Sequence, residues 1–168
     1  TSIGDSAFSS CRSLASIEIP ENVTSIEDST FSGCWSLASI EIPENVTSIG
    51  YQAFISCESL TSIDIPENVT SIGECAFAAC ISLKSITIPK NVKTISGTFG
   101  MCEKLETVTF EKGSELTSIG ENAFSGCRSL TEIEIPAEVT SIGDSAFDGC
   151  GNLKKVIFAK GSKLTTIG

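Results

Sequence analysis

The stretch "IPENVTSI" stands letter for letter at Ile19–Ile26, Ile42–Ile49 and Ile65–Ile72, each copy 23 residues after the last. No other feature constrains the fold as strongly. An exact period puts equivalent residues into equivalent environments, and a chain achieves that by coiling. Each unit stacks on the one before it, and each template position becomes a column along the coil axis. Seven units fit one template, TSIGxxAFxxCxSLxSIxIPxNV: residues 1–23, 24–46, 47–69, 70–92, 93–116, 117–139 and 140–164. Residues 165–168 open a further copy, so residues 1–168 read as a single solenoid domain. Both ends lie inside repeat sequence, and the expectation is a piece of a longer array.

Apolar columns are headed by Ile3, Phe8, Cys11, Leu14, Ile17, Ile19 and Val23. A period between 20 and 29 residues with such anchors marks a leucine-rich-repeat solenoid, mainly β. Ile17 and Ile19 alternate with Ser16 and Glu18, which is the period of a strand. Stacked in parallel, the "SIEI" segments are predicted to form a sheet on the concave face with Ser and Glu outward. Pro20 lacks an N–H for the ladder and ends the strand. "VTSI" is predicted as a second strand or extended turn. Phe8, Cys11 and Leu14 are three apart, which predicts a tight turn or 3₁₀ segment on the convex side.

The phrases "IGDSAFSSCRSLASIEIPENV" and "IGENAFSGCRSLTEIEIPAEV" resemble the BspA-like, or Treponema pallidum-type, leucine-rich repeats. The resemblance runs along essentially the whole chain. It implies a curved solenoid on a cell surface, in gut or oral bacteria or in some parasitic protists. It also implies adhesion and binding of host proteins. The family brings no conserved catalytic constellation, so no site residue is carried over from it.

The net charge is −10, which argues against nucleic acid as a partner. Residues 1–83 hold one basic residue, Arg12, against eleven acidic ones, while residues 84–168 hold ten of each sign. Apolar runs are too short to insert this segment into a membrane. There is no histidine to serve as the usual general base, and no CxxC pair or EF-hand spacing. "KGS" at Lys112–Ser114 is not a phosphate loop, which needs glycine before the lysine and a helix after it. The chain therefore reads as non-catalytic, with no cofactor and no metal ligand set.

Seven of the eight cysteines share one template position: Cys11, Cys34, Cys57, Cys80, Cys102, Cys127 and Cys150. Between Phe and Leu columns a small hydrophobe is wanted, and a reduced thiol behaves as one. Cys75 stands outside this column and is expected to be the thiol open to modification or dimer formation.

Candidate binding residues fall in two groups. Glu18, Glu41 and Asp64 should line the sheet face, and Glu21, Glu44 and Glu67 the adjoining turn. Opposed like charges cost stability. They could attract a basic protein, hold a divalent cation such as calcium, or be residues duplicated with the repeat. Trp35, Tyr51, Ile55 and Ile81 break the polar pattern and could form one diagonal contact patch. The fifth and seventh units gain two residues, in "FEKGSEL" and "FAKGSKL", where a looser turn should bulge from one edge. "NVT" at Asn22, Asn45 and Asn68 matches a glycosylation acceptor, or simply a turn asparagine before a strand.

The reading is a non-catalytic protein-binding or adhesion module of a cell-surface or secreted protein. Its partner would be a host matrix or cell-surface protein. Alternatives are a spacer array with no ligand and a calcium-stabilised acidic adhesin. Uncovered Ile3, Phe8, Leu164 and Ile167 at the two ends predict end-to-end self-association of this segment.

Overall fold

The computed structural model describes residues 1–168, and every regular element in it is a strand. Twelve short strands follow the chain: β1 Ser2–Ile3, β2 Ser25–Ile26, β3 Ser48–Ile49, β4 Ser71–Ile72, β5 Ser85–Ile88 and β6 Thr94–Ile95. The others are β7 Thr107–Phe110, β8 Ser118–Ile119, β9 Glu132–Ile135, β10 Ser141–Ile142, β11 Lys155–Phe158 and β12 Thr166–Ile167. All pair in parallel, in the register the repeat dictates: Ser2 with Ser25, Ile26 with Ile49, Ile119 with Ile142. The coil is thus a β-solenoid whose "TSI" segments form two four-stranded ladders, β1–β4 and β6–β8–β10–β12.

The "SIEI" face pairs less than expected. Regular ladders exist only between β5 and β7 and between β9 and β11. Coils one to three hold no strand there. The paired steps oppose Thr87 to Thr109, Glu132 to Lys155 and Glu134 to Ile157, so no like charges meet. In coils one to three the equivalent column is Glu18, Glu41 and Asp64, and like charges facing one another weaken a strand pair.

The convex side is a run of tight turns, the first of the two forms expected there. N–H groups of Ala7, Ser9 and Cys11 reach back to the carbonyls of Gly4, Ser6 and Phe8. Those of Ser6, Phe8 and Ser10 donate instead to Asp28, Thr30 and Ser32 of the next coil. This alternation requires left-handed backbone at two positions per coil, such as Ser6 at φ 55° and Ser10 at φ 60°. Three-residue spacing arises as well from successive turns as from a helix, and here it marks turns. The second left-handed column holds Gly33, Gly126 and Gly149, but also Ser56, Ala79 and Met101. A non-glycine residue there is strained by about 1–2 kcal/mol. Ala79→Gly is therefore expected to raise stability by about 0.5–1 kcal/mol, after allowing for the extra freedom glycine brings to the unfolded chain. Guanidinium unfolding checks this, and a loss of stability would contradict it.

Inside, the columns become continuous stacks. Seven phenylalanines, Phe8, Phe31, Phe54, Phe77, Phe99, Phe124 and Phe147, lie nearly parallel with ring centroids 5.2–5.7 Å apart. Beside them runs the cysteine column. Each thiol donates to the phenylalanine carbonyl of the coil before: Cys34 to Phe8 at 3.1 Å, Cys57 to Phe31 at 3.3 Å, Cys80 to Phe54 at 3.2 Å. Cys102, Cys127 and Cys150 continue the series to Phe77, Phe99 and Phe124. All eight cysteines are free. The column is thus a hydrogen-bonded ladder as well as a hydrophobic one. Gly50 is required where coils touch, since a Cβ there would meet the Asp28 nitrogen at 2.7 Å.

Candidate binding faces

On the "SIEI" face, Thr107 and Thr109 of β7 and Glu132 and Glu134 of β9 point outward and are exposed. β7 and β9 lie side by side but belong to separate ladders. Over this junction opens a groove of about 1080 Å³, lined from residues 106–117, 131–138 and 157–159 together with Lys93. One wall is the segment after β7. Ser114 N–H closes a turn onto the Glu111 carbonyl at 3.0 Å, with Gly113 at φ 82°. That angle at the third turn position is the type II geometry that glycine permits. The wall is fastened to the coil behind it: Lys90 N–H donates to Glu111 Oε2 at 2.9 Å, and Glu115 N–H to the Lys90 carbonyl at 2.7 Å. Leu116, fully buried, anchors its far end. The turn expected to be loose is therefore tied down. Its counterpart after β11 has Gly161 at φ 82° and a Lys163–Glu138 ion pair at 2.6 Å.

The groove was not among the candidates read from sequence. Its one legible signal was the pair of added residues in "FEKGSEL". The predicted acidic residues lie elsewhere on the coil. Glu18, Glu41 and Asp64 are exposed on the open face of coils one to three. Glu21, Glu44 and Glu67 sit at the turn, where their backbone carbonyls take amide hydrogen bonds. Asn45 donates to Glu21 at 2.8 Å, Asn68 to Glu44 at 2.9 Å and Asn91 to Glu67 at 3.3 Å. This turn column ends in Lys90, which pairs with Glu67 and holds its carboxyl below the ordinary range. No three His, Cys, Asp or Glu side chains converge in a way that could hold a metal ion.

The apolar candidates are only partly a patch. Trp35, Tyr51 and Ile81 are exposed, but Ile55 is half-buried. Trp35 and Ile81 share a column two coils apart, with exposed Glu58 between. The Arg12 guanidinium lies 4.1 Å from the Trp35 ring centroid, a cation–π contact that covers part of the indole. Cys75 is half-buried, with its Sγ 2.9 Å from where a Cβ on Gly97 would stand, and burial raises its pKa. Cys75 is thus partly exposed, whereas Cys11, which heads the cysteine column, is exposed because no coil precedes it.

The model of the BspA type leucine rich repeat region matches in six copies, over residues 1–114 and 96–168. The chain belongs to the BspA-type leucine-rich repeat family. No curated protein matches it. Among solved structures, the BspA-type coil here superposes on the T. pallidum leucine-rich repeat protein with a TM-score of 0.72. Identity is 24%, over 92% of this chain and 73% of that one, which speaks to the fold alone. A leucine-rich cell surface protein of Faecalibacterium prausnitzii is 34% identical, with a TM-score of 0.58 over 86% of this chain. A leucine-rich repeat protein of Bacteroides ovatus is 31% identical, with a TM-score of 0.61 over 99% of this chain. The chain spans 32% of the F. prausnitzii protein and 57% of the B. ovatus protein. BspA-type repeats are typical of bacterial surface proteins, and leucine-rich repeat solenoids generally bind proteins and generally lack catalytic activity. No helix here is long and apolar enough to cross a membrane.

Proposed function

We propose that this chain is a non-catalytic, protein-binding adhesion module of a cell-surface or secreted protein, and that it contacts its partner on the concave face of coils four to seven. The observation that supports this most is the groove above β7 and β9, whose wall is held by hydrogen bonds to Lys90. A rigid wall beside an open sheet face preorganises a binding surface, so little ordering cost is charged against affinity. The surface location of the F. prausnitzii relative supports placement outside the cell. Host matrix and cell-surface proteins are the partner class. The groove is lined by Thr, Ser, Glu and Lys with no histidine, and it offers recognition chemistry more readily than proton transfer at neutral pH.

A spacer reading is favoured by one observation, the verbatim repetition of "IPENVTSI" through coils one to three, away from the groove. The two readings separate by experiment. A displayed library of matrix-protein fragments is selected on the immobilised chain, and the best binders are titrated. Thr109→Trp, which fills the groove floor, is expected to weaken them at least tenfold. Ser39→Trp, on the same face in coil two, is expected to change affinity less than twofold. The absence of any saturable binder, or equal tolerance of both substitutions, would favour the spacer.

A further inference from the structure

Resting on the concave-face reading, the charge of the groove names its partner more closely: we infer that it takes an extended, lysine- or arginine-rich peptide segment of a protein. Six glutamates line it, Glu106, Glu111, Glu115, Glu132, Glu134 and Glu138, against two lysines, Lys93 and Lys112. The surrounding half of the chain is balanced, with ten residues of each sign between 84 and 168. The negative charge is therefore segregated into the groove and not a property of the region. Only Glu138 of the six is in a salt bridge, with Lys163. Glu106, Glu115, Glu132 and Glu134 are exposed and in no salt bridge, with Lys155 of β11 standing across the ladder from Glu132.

The shape suits one extended chain. Coils stack about 4.8 Å apart, so a groove across coils five to seven is about 10 Å wide, the breadth of a strand with its side chains. Hydroxyls of Thr107, Thr109 and Thr131 line it and can meet peptide N–H and C=O groups, while that of Thr117 donates to the Lys93 carbonyl and is left only to accept. In an extended ligand alternate side chains point to one side. Cationic groups at every second residue would then reach the glutamates on β9 and on the wall. The acidic column of coils one to three has similar charge but no wall, and is the natural control.

The probe is a fluorescein-labelled twelve-residue peptide of alternating lysine and threonine, with a glutamate–threonine peptide beside it. Anisotropy is read on the whole 168-residue chain at low and at physiological salt. Saturable one-to-one binding of the lysine peptide alone is expected, weakening as salt rises. The double substitution Glu132→Gln with Glu134→Gln should lower affinity at least tenfold. Glu18→Gln with Glu41→Gln should change it less than twofold. All four side chains are exposed, and unchanged melting would show that the fold is intact. No binding at low salt, equal losses in both doubles, or full displacement by equimolar spermine would overturn the proposal. If library selection returns neutral peptides that Thr109→Trp still blocks, the concave-face reading stands and the basic partner falls.

Discussion

Replacing Phe77 by alanine is expected to cost about 3–5 kcal/mol, the usual penalty for emptying a fully buried phenylalanine site. Phe77 is the fourth of seven stacked rings, 5.3 Å from Phe54 and 5.7 Å from Phe99, and it is 0% exposed. Two terms add. Apolar area returns to a cavity that rigid neighbouring coils cannot close, and two ring–ring contacts of about 0.5–1.5 kcal/mol each are lost. The repeat architecture shapes the outcome further. Stability in a solenoid is close to a sum of unit and nearest-neighbour terms, so weakening coil four uncouples the coils on either side. Guanidinium unfolding should therefore show a lower midpoint and a shallower or divided transition than the single step expected of the parent chain. Phe77→Leu keeps most of the volume and should cost less than half as much. A Phe77→Ala penalty below about 1 kcal/mol would mean that the stack is not what holds the coils together.

The architecture was legible because it follows from repetition. Ile17 and Ile19 alternating with Ser16 and Glu18 indicate which face is buried, and Ile19 and its copies Ile42 and Ile65 are indeed core. Position between Phe and Leu columns was enough to read the cysteines as small hydrophobes. Their hydrogen bonds to phenylalanine carbonyls were not readable. Those depend on where each carbonyl points within turns that carry left-handed backbone at Ser10, Ser56, Ala79 and Met101. Such residues do not announce positive φ; only Gly33, Gly126 and Gly149 in the same column hint at it. The groove was hidden for a different reason. It lies where the β5–β7 and β9–β11 ladders meet without pairing, and strand pairing is a tertiary outcome that one column cannot report. The inserted turn after Phe110 was visible, but its hydrogen bonds to Lys90 turn it from a loop into a wall.

Raising the pH above about 9 is expected to unfold this chain steeply, through the thiol column. Burial, with a smaller contribution from the neighbouring Cys34 thiol, pushes Cys57 up to about 12 from an ordinary 9.0. Burial likewise brings Cys102 to about 12 and raises Cys80 and Cys127 strongly. The folded pKa is thus above the unfolded one. Below pH 9 both states keep the proton and the stabilisation is complete. Above it the unfolded chain releases protons that the folded chain retains, so stability falls until the folded thiols themselves titrate, near 12 for Cys57 and Cys102. Each such thiol contributes about 1.4 kcal/mol per pH unit, and the four together about 5 kcal/mol per unit at most. A domain of this size has about 5–15 kcal/mol in total, so the loss should be complete within one to three units. The measurement is guanidinium unfolding at fixed pH values from 7 to 11, in the presence of reductant. Replacing Cys57 and Cys102 together by alanine should lower stability at pH 7 yet roughly halve the slope above pH 9. An unchanged slope would place the alkaline transition in other groups. At pH 8 the same burial should leave Cys11 reacting with a thiol reagent while Cys34, Cys57, Cys80, Cys102 and Cys127, all buried, stay silent until denaturant opens the coil.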